Sequence, residues 1–369
     1  MSRGGAAAQP PDAARLRAWV TLAHCRIPQQ DLVALLRAAG DPQVLVAAAR
    51  GRAAAFELPA AARTALADVP PAMIDATLAW LESPAHRLVT FDDADYPQAL
   101  LAVGDAPPVL FAMGRGELLN RPAVAIVGSR QATPQGLDDA RAFARALASA
   151  GLTVVSGLAQ GIDAAAHEGA LDTPASTIAV VGTGLDRVYP AANRRLAHAI
   201  AERGLIVSEF VPGTTAEKWH FPRRNRLISG LARGVLVVEA NLSSGSLITA
   251  RLAGEQGREV MAMPGSIHSP LSKGCHKLIR DGAKLVETAQ DVLAELGLAA
   301  PAAVAAAAPR VVDAVHAPLL AAMGEAPVDI DRLVARTGQA VEVIAAQLTA
   351  LELEGLVAPM PGGRWQRRH

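Results

Sequence analysis

Cysteine is nearly missing from the 369-residue chain: Cys25 and Cys275 stand far apart and outside any CxxC spacing, which argues against a disulfide framework and against a cysteine-based metal site. Such usage fits a reducing compartment. Long apolar runs are missing too, with no uninterrupted stretch near the ~20 residues that span a bilayer. The first residues are Ala/Pro-rich with one arginine and lack the apolar segment of a leader. A cytoplasmic protein without membrane contact is expected. Net charge is absent in either sign, 35 Lys+Arg against 35 Asp+Glu, so any contact with nucleic acid must come from local patches. Lysine is scarce: Lys218, Lys273, Lys277 and Lys284 are the whole set.

Several catalytic and cofactor signatures are also wanting. There is no Walker A string, the first strand is not followed by GxGxxG, and neither GxSxG nor HExxH nor a Cys/His cluster occurs. Nucleoside triphosphate, dinucleotide, serine-hydrolase and zinc readings each lose their motif. No catalytic residue, cofactor or metal is expected.

What is present divides the chain. Residues 12–85 place Leu16, Trp19, Val20, Leu32, Leu35 and Leu36 at helical spacing between Pro and Gly breaks, which indicates a small helical domain. Residues 86–116 read as an extended connector. From 123 onward, short apolar runs (124–127, 153–155, 177–181, 205–207, 235–238 and 259–263) alternate with helical patterns, the mark of βαβ units. Their continuous apolar character places them in a doubly wound, mostly parallel sheet covered on both faces. The unit ends near 298. Residues 299–312, almost all Ala, Pro and Val at the start, read as a linker. Residues 313–369 form a last domain, with helices at 317–323, 329–337 and 341–355, Asp329 as a cap, and a Pro361-Gly362-Gly363 turn in the order of a winged helix.

Open parallel sheets bind ligands at the carboxyl ends of their strands. Those ends are small: Gly128-Ser129-Arg130, then Ser156-Gly157-Leu158-Ala159-Gln160-Gly161, Gly182-Thr183-Gly184, and Pro264-Gly265-Ser266. Each glycine also serves a tight turn, but their convergence on one edge suits a phosphate. The segment 217–226 follows the fourth strand onto that edge and joins Lys218, Arg223, Arg224 and Arg226 to Trp219 and Phe221. Cations meet phosphates while exposed bases stack on rings, so the combination points to a single strand. The alternative is structural: rings pinning a loop, and one or two arginines paired with carboxylates such as Glu209 or Glu239.

Four strings then carry a family resemblance across residues 90–295. They are Val124-Ala125-Ile126-Val127-Gly128-Ser129-Arg130; Val154-Val155-Ser156-Gly157-Leu158-Ala159-Gln160-Gly161-Ile162-Asp163 with Ala166-His167; 221–226 with Ile228-Ser229-Gly230; and Ser244-Gly245-Ser246-Leu247-Ile248-Thr249-Ala250-Arg251. Gly257-Arg258-Glu259 and Pro264-Gly265-Ser266 extend the match. Together they resemble the DNA-processing protein A (DprA/Smf) family. The resemblance implies an extended Rossmann-like α/β core between a SAM-like helical domain and a winged helix. It also implies binding of single-stranded DNA, loading of RecA recombinase in natural transformation, and a homodimer. The family's DNA-contacting positions fall on Ser129, Arg130, Lys218, Phe221, Asn225 and Arg226; Gly157, Gly161, Arg224 and Lys273 are added as candidates. Gln160 and Gln135 stand where the family carries an arginine and a tyrosine, which implies one phosphate contact fewer. The 26–29 turn lacks the glycine that would bring amides to a phosphate. The winged-helix recognition helix carries Glu342, Glu352 and Glu354 and no basic residue, so it suits a protein contact, with Arg364, Arg367 and Arg368 as the basic exception.

Two rival functions fit parts of the pattern. A phosphoribohydrolase-type enzyme on this fold needs an acid where Ile248 and Thr249 stand. Asp163 and His167, four apart on one helix, could be an acid/base pair but more often orient a helix at the sheet edge. The other rival is a RecA-binding scaffold that does not touch DNA, for which substitution of Arg130 and Lys218 would leave DNA affinity unchanged.

Overall fold

The computed structural model describes residues 13–51, 56–298, 316–324 and 327–368. The 299–312 linker, residue 12, and the first residues of the 313–369 domain lie outside the described residues.

Five short helices come first: α1 (Ala13–His24), α2 (Gln29–Ala39), α3 (Pro42–Ala49), α4 (Ala60–Ala67) and α5 (Pro71–Leu81). Local chemistry sets their ends. Asp41 caps α3 by accepting from the Gln43 amide with Pro42 at the first position, and Gly40 ends α2 in the left-handed region. Trp19, Leu22, Leu32, Leu36 and Leu45 face inward and share one apolar cluster with Phe111 and Ile206 of the sheet. The helical domain therefore packs directly on the sheet instead of hanging from it. No single helix among the described residues is long and apolar enough to cross a membrane.

The connector is more ordered than its sequence suggests. It forms β1 (His86–Thr90), α6 (Gln98–Leu101) and β2 (Val109–Gly114); β1 pairs antiparallel with β2. Then come β3 (Ala123–Val127), α7 (Pro134–Ser149), β4 (Thr153–Ser156), α8 (Ile162–Ala170), β5 (Thr177–Val180), α9 (Arg194–Arg203), β6 (Leu205–Ser208), α10 (His220–Leu231), β7 (Gly234–Val237), α11 (Ser246–Glu255), β8 (Glu259–Ala262), α12 (Lys273–Arg280), β9 (Lys284–Leu285) and α13 (Ala289–Glu295). The nine strands run in the order β1-β2-β6-β5-β4-β3-β7-β8-β9, parallel from β6 to β9, with the hairpin added antiparallel at the β6 edge.

Alternation along single strands divides two cores. On β3, Ala123, Ala125 and Val127 join Leu227, Ile228 and Ala250 of α10 and α11 on one face. Val124 and Ile126 join Ala140, Leu147 and Ile162 of α7 and α8 on the other. Every β3 residue is buried, as expected of a strand covered on both faces. Because β4–β6 lie to one side of β3 and β7–β9 to the other, the strand order reverses at β3/β7.

The last unit comprises α14 (Ala317–Met323), β10 (Val328–Asp329), α15 (Ile330–Thr337), α16 (Val341–Leu353), β11 (Val357–Met360) and β12 (Arg364–Arg367), in a sheet of order β10-β12-β11. This is a winged helix with its own core of Leu320, Leu333, Ile344, Leu348 and Leu351. Asp329 caps α15 by accepting from the Arg332 amide at 2.8 Å. It docks on α7 through Arg368, whose Nε and Nη2 meet the Asp138 carboxylate at 2.6 and 2.7 Å.

Candidate nucleic-acid interface

The chain leaves β3 and β7 in opposite directions, and a crevice of about 550 Å³ opens at this switch point. Ser129, Arg130, Gln160, Asn225, Ser244 and Ser246 line it from the loops after β3, β4 and β7, the start of α11 and the body of α10.

The loop after β4 shapes the near wall. Gly161 has φ +80° and ψ −129°, and a Cβ there would lie 2.2 Å from the Ser129 carbonyl oxygen. Only glycine lets this loop lie against Ser129–Arg130, where the Ile162 amide donates to Ser129 O at 3.2 Å. Gly157 is squeezed from both sides: a Cβ would sit 2.7 Å from Arg224 Nη2 and 2.8 Å from Asp163 Oδ2. The Asp163 carboxylate accepts from the Gly157 and Ala159 amides at 3.0 and 3.4 Å. Burial pushes its pKa up, against the pull of Arg224.

His167 completes this scaffold. Its Nε2 accepts from the Leu158 amide at 3.3 Å, and its Nδ1 meets Thr177 Oγ1 at 2.7 Å. The Thr177 hydroxyl already donates to Val154 O, so Nδ1 carries the histidine proton. Burial lowers the His167 pKa to about 3 and the ring is neutral. Nε2 and the Asp163 carboxylate are thus engaged in holding backbone and Nδ1 in holding the Thr177 hydroxyl, which leaves no free acid/base pair here. Glu239 is a second buried carboxylate, raised by burial; it accepts from the Thr133 amide and hydroxyl at 2.9 and 2.7 Å and holds the start of α7.

The expected site residues separate into groups. Arg130 is exposed, has no carboxylate partner among the described residues, and rests its guanidinium 5.8 Å from the Phe221 ring centroid. Phe221 is half-buried and lies 5.3 Å from the Tyr189 ring. Lys218 is exposed beside Trp219, itself 55% exposed. Asn225 faces the crevice and accepts from Arg224 Nε at 3.2 Å. Arg130 and the rings of Phe221 and Tyr189 therefore share one open ledge, with Lys218 and Trp219 exposed just ahead of Phe221 in the chain.

Three further candidates sit differently from these. Arg226 is only 8% exposed and turns away from the crevice, paired with Glu209 at 2.5 Å and Asp105 at 3.1 Å, and it donates to Gln29 at 2.9 Å. It ties the helical domain and connector to α10, because a buried guanidinium must be neutralised where it lies. Arg224 forms the inner wall, 4% exposed, with Nη1 donating to Gly157 O and Val180 O. Burial brings its pKa down to about 10, so it stays charged while gripping two strand ends. Lys273 is exposed at the first residue of α12 and does not line the crevice; its neighbour Leu271 does. Glu209 also pairs with Arg223 at 3.1 Å, whereas Glu239 pairs with no arginine among the described residues.

The sequence reading does not single out Tyr189 or Asn241. Tyr189 follows β5 on the same edge as the strand-end glycines and is one of only two tyrosines, the signal that could have found it. Asn241 follows β7 and lines the crevice floor. Where a hydrolase needs an acid, Thr249 lines the crevice and Ile248 does not.

Residues 87–297 match the family described as DNA recombination-mediator protein A, and residues 299–363 the DprA winged helix domain. Protein Smf of Escherichia coli K12 is 43% identical over 302 residues, covering 80% of this chain and 81% of that protein. The putative DNA processing protein DprA of Mycobacterium tuberculosis H37Rv is 36% identical over 369 residues, covering 95% and 94%. The crystal structure of DprA from Streptococcus pneumoniae superposes with a TM-score of 0.67 at 41% identity, over 76% of this chain and 97% of that one. A structure of DNA processing protein A from Helicobacter pylori, describing its single-stranded DNA binding mode, gives 0.52 at 33% identity over 57% and 95%.

Proposed function

Because the chain belongs to the DprA/Smf family of DNA recombination-mediator proteins, we propose that its sheet-edge ledge binds single-stranded DNA, protects it, and presents it to RecA recombinase during transformation. One observation carries this reading: an unneutralised cation, Arg130, lies over an accessible ring, Phe221, at the mouth of a phosphate-suited crevice. Phosphates meet Arg130 and Lys218; bases stack on Phe221, Tyr189 and Trp219. Stacking accepts any base face, so sequence preference is small, and a duplex, whose faces are hidden, competes poorly. The single-stranded DNA binding of the H. pylori relative supports the same assignment. Handover to RecA, pairing into a homodimer and action in the cytoplasm rest on family membership; a dimer would set two ledges along one strand and raise avidity without new contacts.

The test is fluorescence anisotropy of a labelled oligonucleotide over a salt series, comparing the wild type with Arg130→Ala/Lys218→Ala. Each lost phosphate contact removes about 0.7 from the slope of log K against log salt on a single strand, so the double variant is expected to lose about 1.4. Binding indifferent to both substitutions overturns the assignment and favours a RecA-binding scaffold.

A further inference from the structure

The sheet-edge crevice is not closed on its far side. It continues into a cleft of about 1170 Å³ between the Rossmann-like core and the winged helix, and Gln131, Asn241 and Leu271 line both. The ion pair of Arg368 with Asp138 holds the two walls together. The core wall carries no lysine, arginine or carboxylate; it sets Thr133, Ser266, His268 and Ser269 beside Ala132, Pro270 and Leu271. The winged-helix wall carries Arg332 and Arg336 of α15 and Arg364 at the start of β12. No carboxylate lines the cleft among the described residues.

These arginines are poorly neutralised. Arg364 is exposed, donates to Pro361 O at 3.4 Å and meets no carboxylate among the described residues. Arg332 has a side chain 70% exposed and only a 3.6 Å contact with Asp329. Arg336 is different, since it donates to Ala322 O and Met323 O at 2.7 and 3.3 Å and braces the end of α14. Meanwhile α16, with Glu342 and Glu352 and with Glu354 just past its end, does not line the cleft.

We infer that single-stranded DNA leaving the sheet-edge crevice runs on through this cleft, its phosphates against Arg332 and Arg364, so that the winged helix binds DNA through α15 and its β-turn instead of through the acidic α16. The inference rests on the reading above, because the cleft is the continuation of that crevice. Continuity, a weakly opposed cationic wall and a facing wall without acids suit a phosphate chain; Met360 and Pro361 supply apolar surface against which bases can lie. The usual insertion of a recognition helix into a duplex groove is not needed.

The experiment compares two lengths of oligo-dT, one of about six nucleotides and one of about 20, the second longer than the ~4–16 nucleotides that a single-strand site commonly covers. Wild type, Arg332→Ala/Arg364→Ala, Arg332→Lys/Arg364→Lys and Arg130→Ala/Lys218→Ala are titrated as full-length chains. On the long strand, Arg332→Ala/Arg364→Ala is expected to lower the salt slope by about 1.4, which is roughly a 25-fold loss of affinity at 0.1 M salt relative to 1 M. The short strand should bind that variant as it binds the wild type, and the lysine variant should keep the slope. An unchanged long-strand slope overturns the inference, as does an equal loss on both lengths, which would place the effect in the fold or in the crevice. Wild-type binding by Arg130→Ala/Lys218→Ala at both lengths sinks the parent reading instead, whatever the winged-helix arginines do.

Discussion

Replacing Arg224 by Met separates a structural arginine from a DNA ligand. Arg224 is 4% exposed and its Nη1 donates to two carbonyls, Gly157 O and Val180 O, while its charge offsets the buried Asp163 across Gly157. Methionine keeps the volume but leaves both carbonyls short of a donor and Asp163 without its cation. Removing one partner of a buried charged pair costs about 3–5 kcal/mol. For a unit of this size, each kcal/mol lowers Tm by about 2–4 °C, so the melting transition that includes the sheet should fall by roughly 6–20 °C in scanning calorimetry.

Acid should narrow this gap. Burial raises the Asp163 pKa and Arg224 opposes that rise; without the guanidinium the folded value climbs further. Above the ordinary carboxylate range the unfolded chain has released this proton while the folded variant still holds it. Folded protein then binds more protons than unfolded, so the variant's stability falls as pH rises through this window and recovers below it. The Tm difference from wild type is expected to be larger at about pH 8 than at about pH 5. An unchanged Tm with a salt slope shallower by about 0.7 would refute the reasoning and make Arg224 a phosphate ligand.

Phe221→Ala removes a ring and no charge. Loss of one stacked base is worth about 1–3 kcal/mol, a roughly 5- to 150-fold weaker Kd, with the salt slope unmoved; anisotropy over the same salt series reads both. Gly161→Ala forces a side chain onto a backbone that excludes it, with a Cβ 2.2 Å from Ser129 O. A stability loss of more than about 3 kcal/mol by urea titration is expected, since strain of about 1–3 kcal/mol adds to the clash; an unshifted midpoint would show that the loop can move aside.

The amino-acid order by itself determined a good deal. Unbroken apolar runs separated by helical patterns led to β3–β8 within a residue or so at each end, because burial on both faces admits no polar alternation. The same order put Gly128, Gly157 and the 217–226 segment on one edge, since every parallel strand delivers its carboxyl end to the same side. The β1–β2 hairpin was less legible: its prolines and short runs read as a connector, and only the open β6 edge, far along the chain, makes it a pair of strands.

The run Arg223-Arg224-Asn225-Arg226 shows what only the tertiary structure decided. These arginines are chemically alike and adjacent, yet one pairs at the surface, one grips strand ends, and one lies beneath the connector. Which of them is free depends on how α10 is rotated against the sheet and on partners as distant as Gln29, Asp105 and Gly157. A guanidinium can be buried only where a carbonyl or carboxylate meets it, and that meeting is a property of the folded neighbourhood, not of the local string. The pairing of Arg368 with Asp138, 230 residues apart, has the same origin, and it turns an acidic-helixed domain so that its arginines face the core.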